Sequence, residues 1–261
     1  PTSSGAFYVD VYHKDPSDDT AEVQFSIAYG NRLGSGSLDF SSGAGSEGFS
    51  AAKSVYSQYR NLVFGGDETQ DFSFDGYVAD NIFVININRA RYKHALRMGN
   101  LEFNLSGSLG NKILHLTDDS VTASGSANAI RAGVGRQFNI VSGSGGERLG
   151  TSNTYVTDSG SYGYVYPDAG FMILNGDALN VDYSQNGLNL GLETGSNTHG
   201  DNLGKMFRAV YGGDKFILDG QEDIASKFYF VRAKNTEFNY TTNDSFTQDD
   251  GTLSFDSMID N

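Results

Sequence analysis

Asn81-Ile82-Phe83-Val84-Ile85-Asn86-Ile87 is the stretch that decides the fold. It is apolar at successive positions, so both faces of an extended chain are apolar there. Such a run reads as a central strand covered on both sides. Phe171-Met172-Ile173-Leu174 and Phe228-Tyr229-Phe230-Val231 have the same character. Around these runs the pattern changes to strict alternation. Val23, Phe25, Ile27 and Tyr29 alternate with Gln24, Ser26 and Ala28, and Leu101, Phe103 and Leu105 alternate with Glu102 and Asn104. Period 2 marks a strand with one face in a core. Phe7-Val9-Val11, Phe72-Phe74 and Phe138-Ile140 repeat it. The chain has 33 glycines and only 3 prolines, and the glycines gather with serine in short blocks between apolar runs. That is the grammar of turns joining strands. The expectation is a mainly β fold of roughly ten to twelve strands, with antiparallel sheets in a sandwich-like arrangement.

Two segments depart from period 2 and predict short α-helices. In 50–63, Ala52, Val55, Tyr56, Tyr59, Leu62 and Val63 form one stripe, with Ser50 placed to cap the N-terminus. In 201–211, Leu203, Met206, Phe207 and Val210 share a face, Asp201 is placed as the cap, and Gly212-Gly213 is expected to end the helix in the left-handed conformation. Stretches 41–48, 142–160 and 184–200 read as loops. No fixed-period repeat is present, so 1–261 is expected to be a single β-rich domain belonging to a longer chain, with 142–160 the place where it would subdivide.

Composition narrows the functional classes. Tyr and Phe (15 and 18 residues) supply every aromatic side chain, enough for a packed core, and Trp is absent. Without cysteine there are no disulfides, thiolate metal sites or thiol nucleophiles. No apolar run approaches the roughly 20 residues of a membrane helix. The net charge of −14 favours solubility and opposes nucleic acid and anionic lipid, so neither is an expected partner.

The motifs that carry chemistry fail in detail. Gly43-Ala44-Gly45-Ser46-Glu47-Gly48 has GxGxxG spacing, but the piece before it is short and Ser-rich and Glu47 would repel a phosphate; a flexible glycine turn is the better reading. Gly200-Asp201-Asn202-Leu203-Gly204-Lys205-Met206 is one residue short of a P-loop, with Met206 where a Ser or Thr is needed for magnesium. His13, His94, His115 and His199 are far apart and form no metal-binding spacing. The acidic pairs Asp18-Asp19, Asp67-Glu68, Asp118-Asp119 and Asp249-Asp250 read as solvated turns. No catalytic residue, cofactor or metal ligand is assigned, and the protein is not expected to be an enzyme.

One cluster stands out against the acidic background. Arg89, Arg91, Lys93 and Arg97 lie within nine residues, with His94 among them and no acid between, directly after the most apolar strand. They are the candidate protein contact. The sharper reading is an electrostatic contact with an acidic neighbour, for which Arg is suited by its planar pairing with carboxylates. The plainer one is balance of local acid.

Beginning at Ala21-Glu22-Val23-Gln24-Phe25-Ser26-Ile27-Ala28-Tyr29-Gly30, the sequence resembles uncharacterised virion structural proteins of contractile-tailed phages that infect marine cyanobacteria. Further matching pieces are Tyr56-Ser57-Gln58-Tyr59-Arg60, the run from Phe83 through Lys93, Gly135-Arg136-Gln137-Phe138, Tyr164-Val165-Tyr166-Pro167-Asp168-Ala169-Gly170, and the run from Phe228 through Tyr240. They span nearly the whole chain. The resemblance implies a structural component of the particle, in the tail or baseplate region, present in many copies of a symmetric assembly with other virion proteins as partners. It implies no enzymatic activity, a location in the virion after assembly in the host cytoplasm, and a longer chain at both ends. The stretch 228–240 is a candidate source of interface anchors. The alternative is a receptor- or glycan-binding module of a fibre, with Tyr-rich loop 155–166 stacking on sugars. Alone, the chain is expected to be monomeric or weakly associated.

Overall fold

The strand over 81–87 is buried on both faces because its alternate residues serve two different cores. Phe83, Ile85 and Ile87 enter one apolar cluster, and Ile82 and Val84 enter another. The computed structural model describes residues 8–36, 50–107, 112–122, 130–131, 133–150, 156–194, 201–232, 245 and 247–249. In chain order, β1 (Tyr8–Tyr12) and β2 (Val23–Asn31) precede α1 (Ala51–Phe64). A two-residue hairpin, β3 (Ser73–Phe74) and β4 (Tyr77–Val78), leads into β5 (Asn81–Ile87), β6 (Ala95–Ser106) and β7 (Ile113–Asp118). A second small hairpin, β8 (Ile130–Arg131) and β9 (Gly135–Arg136), precedes β10 (Phe138–Ser144) and β11 (Glu147–Arg148). Then come β12 (Gly163–Tyr166), β13 (Phe171–Asn175), α2 (Gly176–Asn180), α3 (Asp201–Gly213) and β14 (Phe216–Gln221).

Ten strands form one antiparallel sheet in the order β1-β2-β5-β13-β12-β10-β7-β6-β14, with β11 paired to β10. The β5 strand sits between β2 and β13, with Ile85 opposite Ile27 on one side and Met172 on the other. The fold is mainly β and antiparallel, as its patterning requires. Its sandwich-like facing layers belong to one continuous sheet that curls over itself. The ring of Phe216 on β14 meets Phe25 on β2 at 4.9 Å between centroids and Phe103 on β6 at 4.7 Å, joining strands from near opposite ends of the order. The first core fills this curl, and Leu203, Met206 and Ala209 of α3 pack into it. The second core lies on the other face, between β5, β12 and β13 and a cover made by Tyr56 and Val63 of α1 with Phe72 and Phe74.

Both expected helices are present. The Ser50 side chain accepts from the Lys53 N–H, and Gly65, with φ +68, closes α1. The end of α3 differs from expectation. Gly212 and Gly213 are its last helical residues, and the left-handed position falls on Asp214, with φ +60. Gly213 is needed for another reason: a Cβ there would lie 1.9 Å from the Asn104 carbonyl oxygen, so it lets α3 touch the β6 backbone. The single-turn α2 is an addition that the sequence patterning does not announce; Asn175 caps it by accepting from the Asp177 and Ala178 N–H groups.

The chain divides into two compact units, Pro1–Glu222 and Asp223–Asn261. The stretch 142–160 lies within the first, where β10 turns back through Gly145-Gly146 into β11. In the second unit, residues 223–232 run without regular structure. The segment Phe228-Tyr229-Phe230-Val231, expected as a central strand, is in no strand and is 82–99% exposed.

Candidate docking surface

The basic segment follows β5 directly, and its shape is set by Asn88. The Asn88 side chain accepts from the Ala90 N–H at 3.0 Å and donates to the Val23 carbonyl at 2.9 Å, holding a single 3-10 turn, Arg89–Arg91, beside β2. Tyr92 then turns inward. It is buried, and its hydroxyl donates to the Ala169 carbonyl at 3.2 Å. The basic segment thus leaves the C-terminal end of β5, a central strand between β2 and β13.

Their charges, however, are largely engaged within the chain. The Arg89 guanidinium lies 4.5 Å from the Tyr92 ring centroid and donates to the Tyr92 carbonyl at 2.5 Å. Arg91 pairs with Glu22, and Lys93 pairs with Glu222 at 2.6 Å. Arg97 sits apart on β6, opposite Asp219 of β14, exposed and without an ion pair among the described residues. The four bases are therefore one segment in sequence but not one free patch. Charge balance within the chain accounts for Arg91 and Lys93, and Arg97 has no ion pair among the described residues.

The acidic pairs also divide. Asp18 and Asp67 lie in exposed turns, each holding a Thr two residues on through its N–H and hydroxyl, and those bonds lower both carboxyl pKa values. Asp118 and Asp119 are buried, contrary to the solvated reading. Asp118 accepts from the N–H groups of Gly99 and Ser120. Asp119 accepts from the Asn139 backbone N–H at 3.0 Å and side-chain amide at 2.7 Å. Burial pushes the Asp119 carboxyl up from its ordinary value, and the Asn139 bonds oppose that shift. Gly99 and Asn139 lie 19 and 20 residues from the carboxylates they satisfy, so no local pattern reveals them. Asp168 shows the opposite balance: the Arg136 side chain, donating at 2.6 Å, holds its carboxyl below the usual range. That pair ties the β8–β9 hairpin to the turn between β12 and β13.

The densest convergence of polar groups joins Tyr29, Asn31, Asn81 and Asp177. The Tyr29 hydroxyl and the Asn31 amide both donate to Asn81 Oδ1, at 2.6 and 2.8 Å, and the Asn81 amide donates to Asp177 at 2.6 Å. Burial pushes the Tyr29 hydroxyl up to about 12. Each group bonds to another member of the cluster, the arrangement of a part-buried structural network. Among the described residues, no group of three or more His, Asp or Glu is placed to hold a metal ion. His199, Tyr155 and the 43–48 glycine motif lie outside the described residues.

The described tyrosines of the loop proposed for sugar stacking are core residues. Tyr162, Tyr164 and Tyr166 are buried, and their hydroxyls donate to Asn186, Ser73 and Gln137 respectively. An open groove of about 520 Å³ runs beside β7, β10 and β11, with Lys112, His115, Glu147 and Arg148 on its walls and no Tyr or Phe lining it.

The largest departure from a self-sufficient surface is the segment after β14. Ile224, Phe228, Tyr229, Phe230 and Val231 are each more than four-fifths exposed, within eight residues. Isolated exposed apolar side chains are ordinary, but a contiguous run of this size marks an interaction site. Comparison with protein-family models, curated proteins and solved structures finds no match to this chain.

Proposed function

We propose that this chain is a structural subunit of a contractile-tailed phage particle, of the tail or baseplate, and that it works by docking to other virion proteins rather than by catalysis. The observation that carries the reading is the exposed apolar run Phe228-Tyr229-Phe230-Val231. The curled sheet supplies a folded body with its own two cores, and this run is the part left to be covered by a neighbour. Aromatic anchors set in a desolvated contact carry most of the energy of protein interfaces. The sequence resemblance supports the virion setting, and Arg97 adds a free base at the β6–β14 edge. The fibre-like, glycan-binding alternative draws less support, because Tyr162, Tyr164 and Tyr166 of the loop assigned to it lie in the core.

The test is a double substitution, Phe228→Ser with Phe230→Ser. Both side chains are exposed, so thermal unfolding should match the parent. Losing two buried rings should weaken docking by roughly 100-fold or more. Particles assembled with the variant should therefore lack it. Incorporation at the parental level would refute the role of this segment.

A further inference from the structure

We infer that the segment 224–231 of one copy adds as a strand to the free edge of β1 in a second copy. This deepens the docking reading and rests on it. The edge comes first. Among the described residues, β1 pairs only with β2, so its outer side presents unpaired N–H and C=O groups. An open edge of this kind is a template for another extended chain. The other edge strand, β14, is a poorer template: its register breaks in the middle, between Ile217 and Asp219, whereas β1 breaks only at its last step, between Val11 and Tyr12. Such a break bends a strand and interrupts a ladder.

The two segments also match in length, chemistry and charge. The β1 strand offers five residues, Tyr8-Val9-Asp10-Val11-Tyr12, with Tyr8 59% exposed. The incoming run Phe228-Tyr229-Phe230-Val231 is rich in the aromatic and β-branched residues that fit a pleated surface. Between 223 and 234, Lys227, Arg232 and Lys234 stand against Asp223 alone, a net positive stretch in a chain of net −14. Between 8 and 20, Asp10, Asp15, Asp18 and Asp19 stand against Lys14 alone. The positive segment of one copy thus meets the acidic margin of the next. Phe and Tyr side chains bury about 150–250 Å² each. The three rings bring roughly 450–750 Å², and Ile224 and Val231 add to that, close to the ~800 Å² a stable contact takes from each partner. The contact joins two different patches, so it either closes through reciprocal exchange or runs head to tail, into a ring where the rotation closes and an open filament where it does not. It revises the expectation of a chain that is monomeric or weakly associated on its own.

The absence of cysteine makes the test direct. Full chains carrying Tyr8→Cys alone and Phe230→Cys alone are mixed and treated with a short bismaleimide. Neither site supports the fold, since both side chains are exposed. The expected product is a covalent dimer joining one chain of each kind, at least tenfold more abundant than dimers from either chain alone. Adding Phe228→Ser to the Phe230→Cys chain should suppress it by a similar factor. No mixed dimer, or cross-linking only within one chain of the Tyr8→Cys/Phe230→Cys double variant, would overturn the second copy as occupant. Docking to a different particle protein would then still stand or fall on the incorporation experiment with the serine variant.

Discussion

Phe103→Ala is expected to lower the unfolding free energy by roughly 3–5 kcal/mol, the range for removing a fully buried aromatic ring. Phe103 has no exposed surface and lies on β6 opposite Phe216 of β14. Its ring and that of Phe25 on β2 both pack against Phe216. The substitution therefore opens a cavity where the curled sheet meets itself, beside the Phe216 ring that also packs against Phe25. The midpoint of urea denaturation should fall, with the slope unchanged if the folded state keeps its compactness. A loss below about 1 kcal/mol would mean that the two halves of the sheet do not share this core.

Gly213→Ala is expected to cost about 1–3 kcal/mol or more by overpacking, although alanine favours helices. The added methyl would lie 1.9 Å from the Asn104 carbonyl oxygen, so α3 and β6 would have to separate. At the next position the sign reverses. Asp214 holds φ +60, a conformation that disfavours a side chain. Asp214→Gly should therefore leave the melting temperature unchanged or raise it. Opposite effects at adjacent residues distinguish a contact constraint from a backbone constraint. A neutral Gly213→Ala would mean that the helix and strand are not packed backbone to backbone.

Those two residues also show why part of the fold was legible in the sequence and part was not. Strand 81–87 was readable because its composition alone requires cover on both faces, and β2 and β6 because alternation exposes their period. Ser50 announced α1 through local chemistry. Gly213 looked like a terminator by the same local logic, but its neighbour Asn104 is more than a hundred residues away and leaves no local signature. Asp118 and Asp119 looked solvated because the N–H groups that satisfy them arrive from β6 and β10. The sequence leaves the bases at 89–97 open between charge balance and an outside contact because Glu22 and Glu222, which pair with Arg91 and Lys93, are distant in the chain. Phe228-Tyr229-Phe230-Val231 is the most instructive case. An apolar run states that it must be covered, and it does not state by which molecule. Its composition fits a covered central strand and an interface anchor alike, and the structure leaves it exposed.

The account stands on that segment being an interface. Its most direct test is amide hydrogen exchange across 224–231, measured on the dilute free chain and on the chain assembled with its neighbours. The free chain should exchange these amides at close to unprotected rates, and assembly should slow them by two orders of magnitude or more, while the amides of β5 stay protected in both. Equally fast exchange at 224–231 in the assembled state would contradict the account.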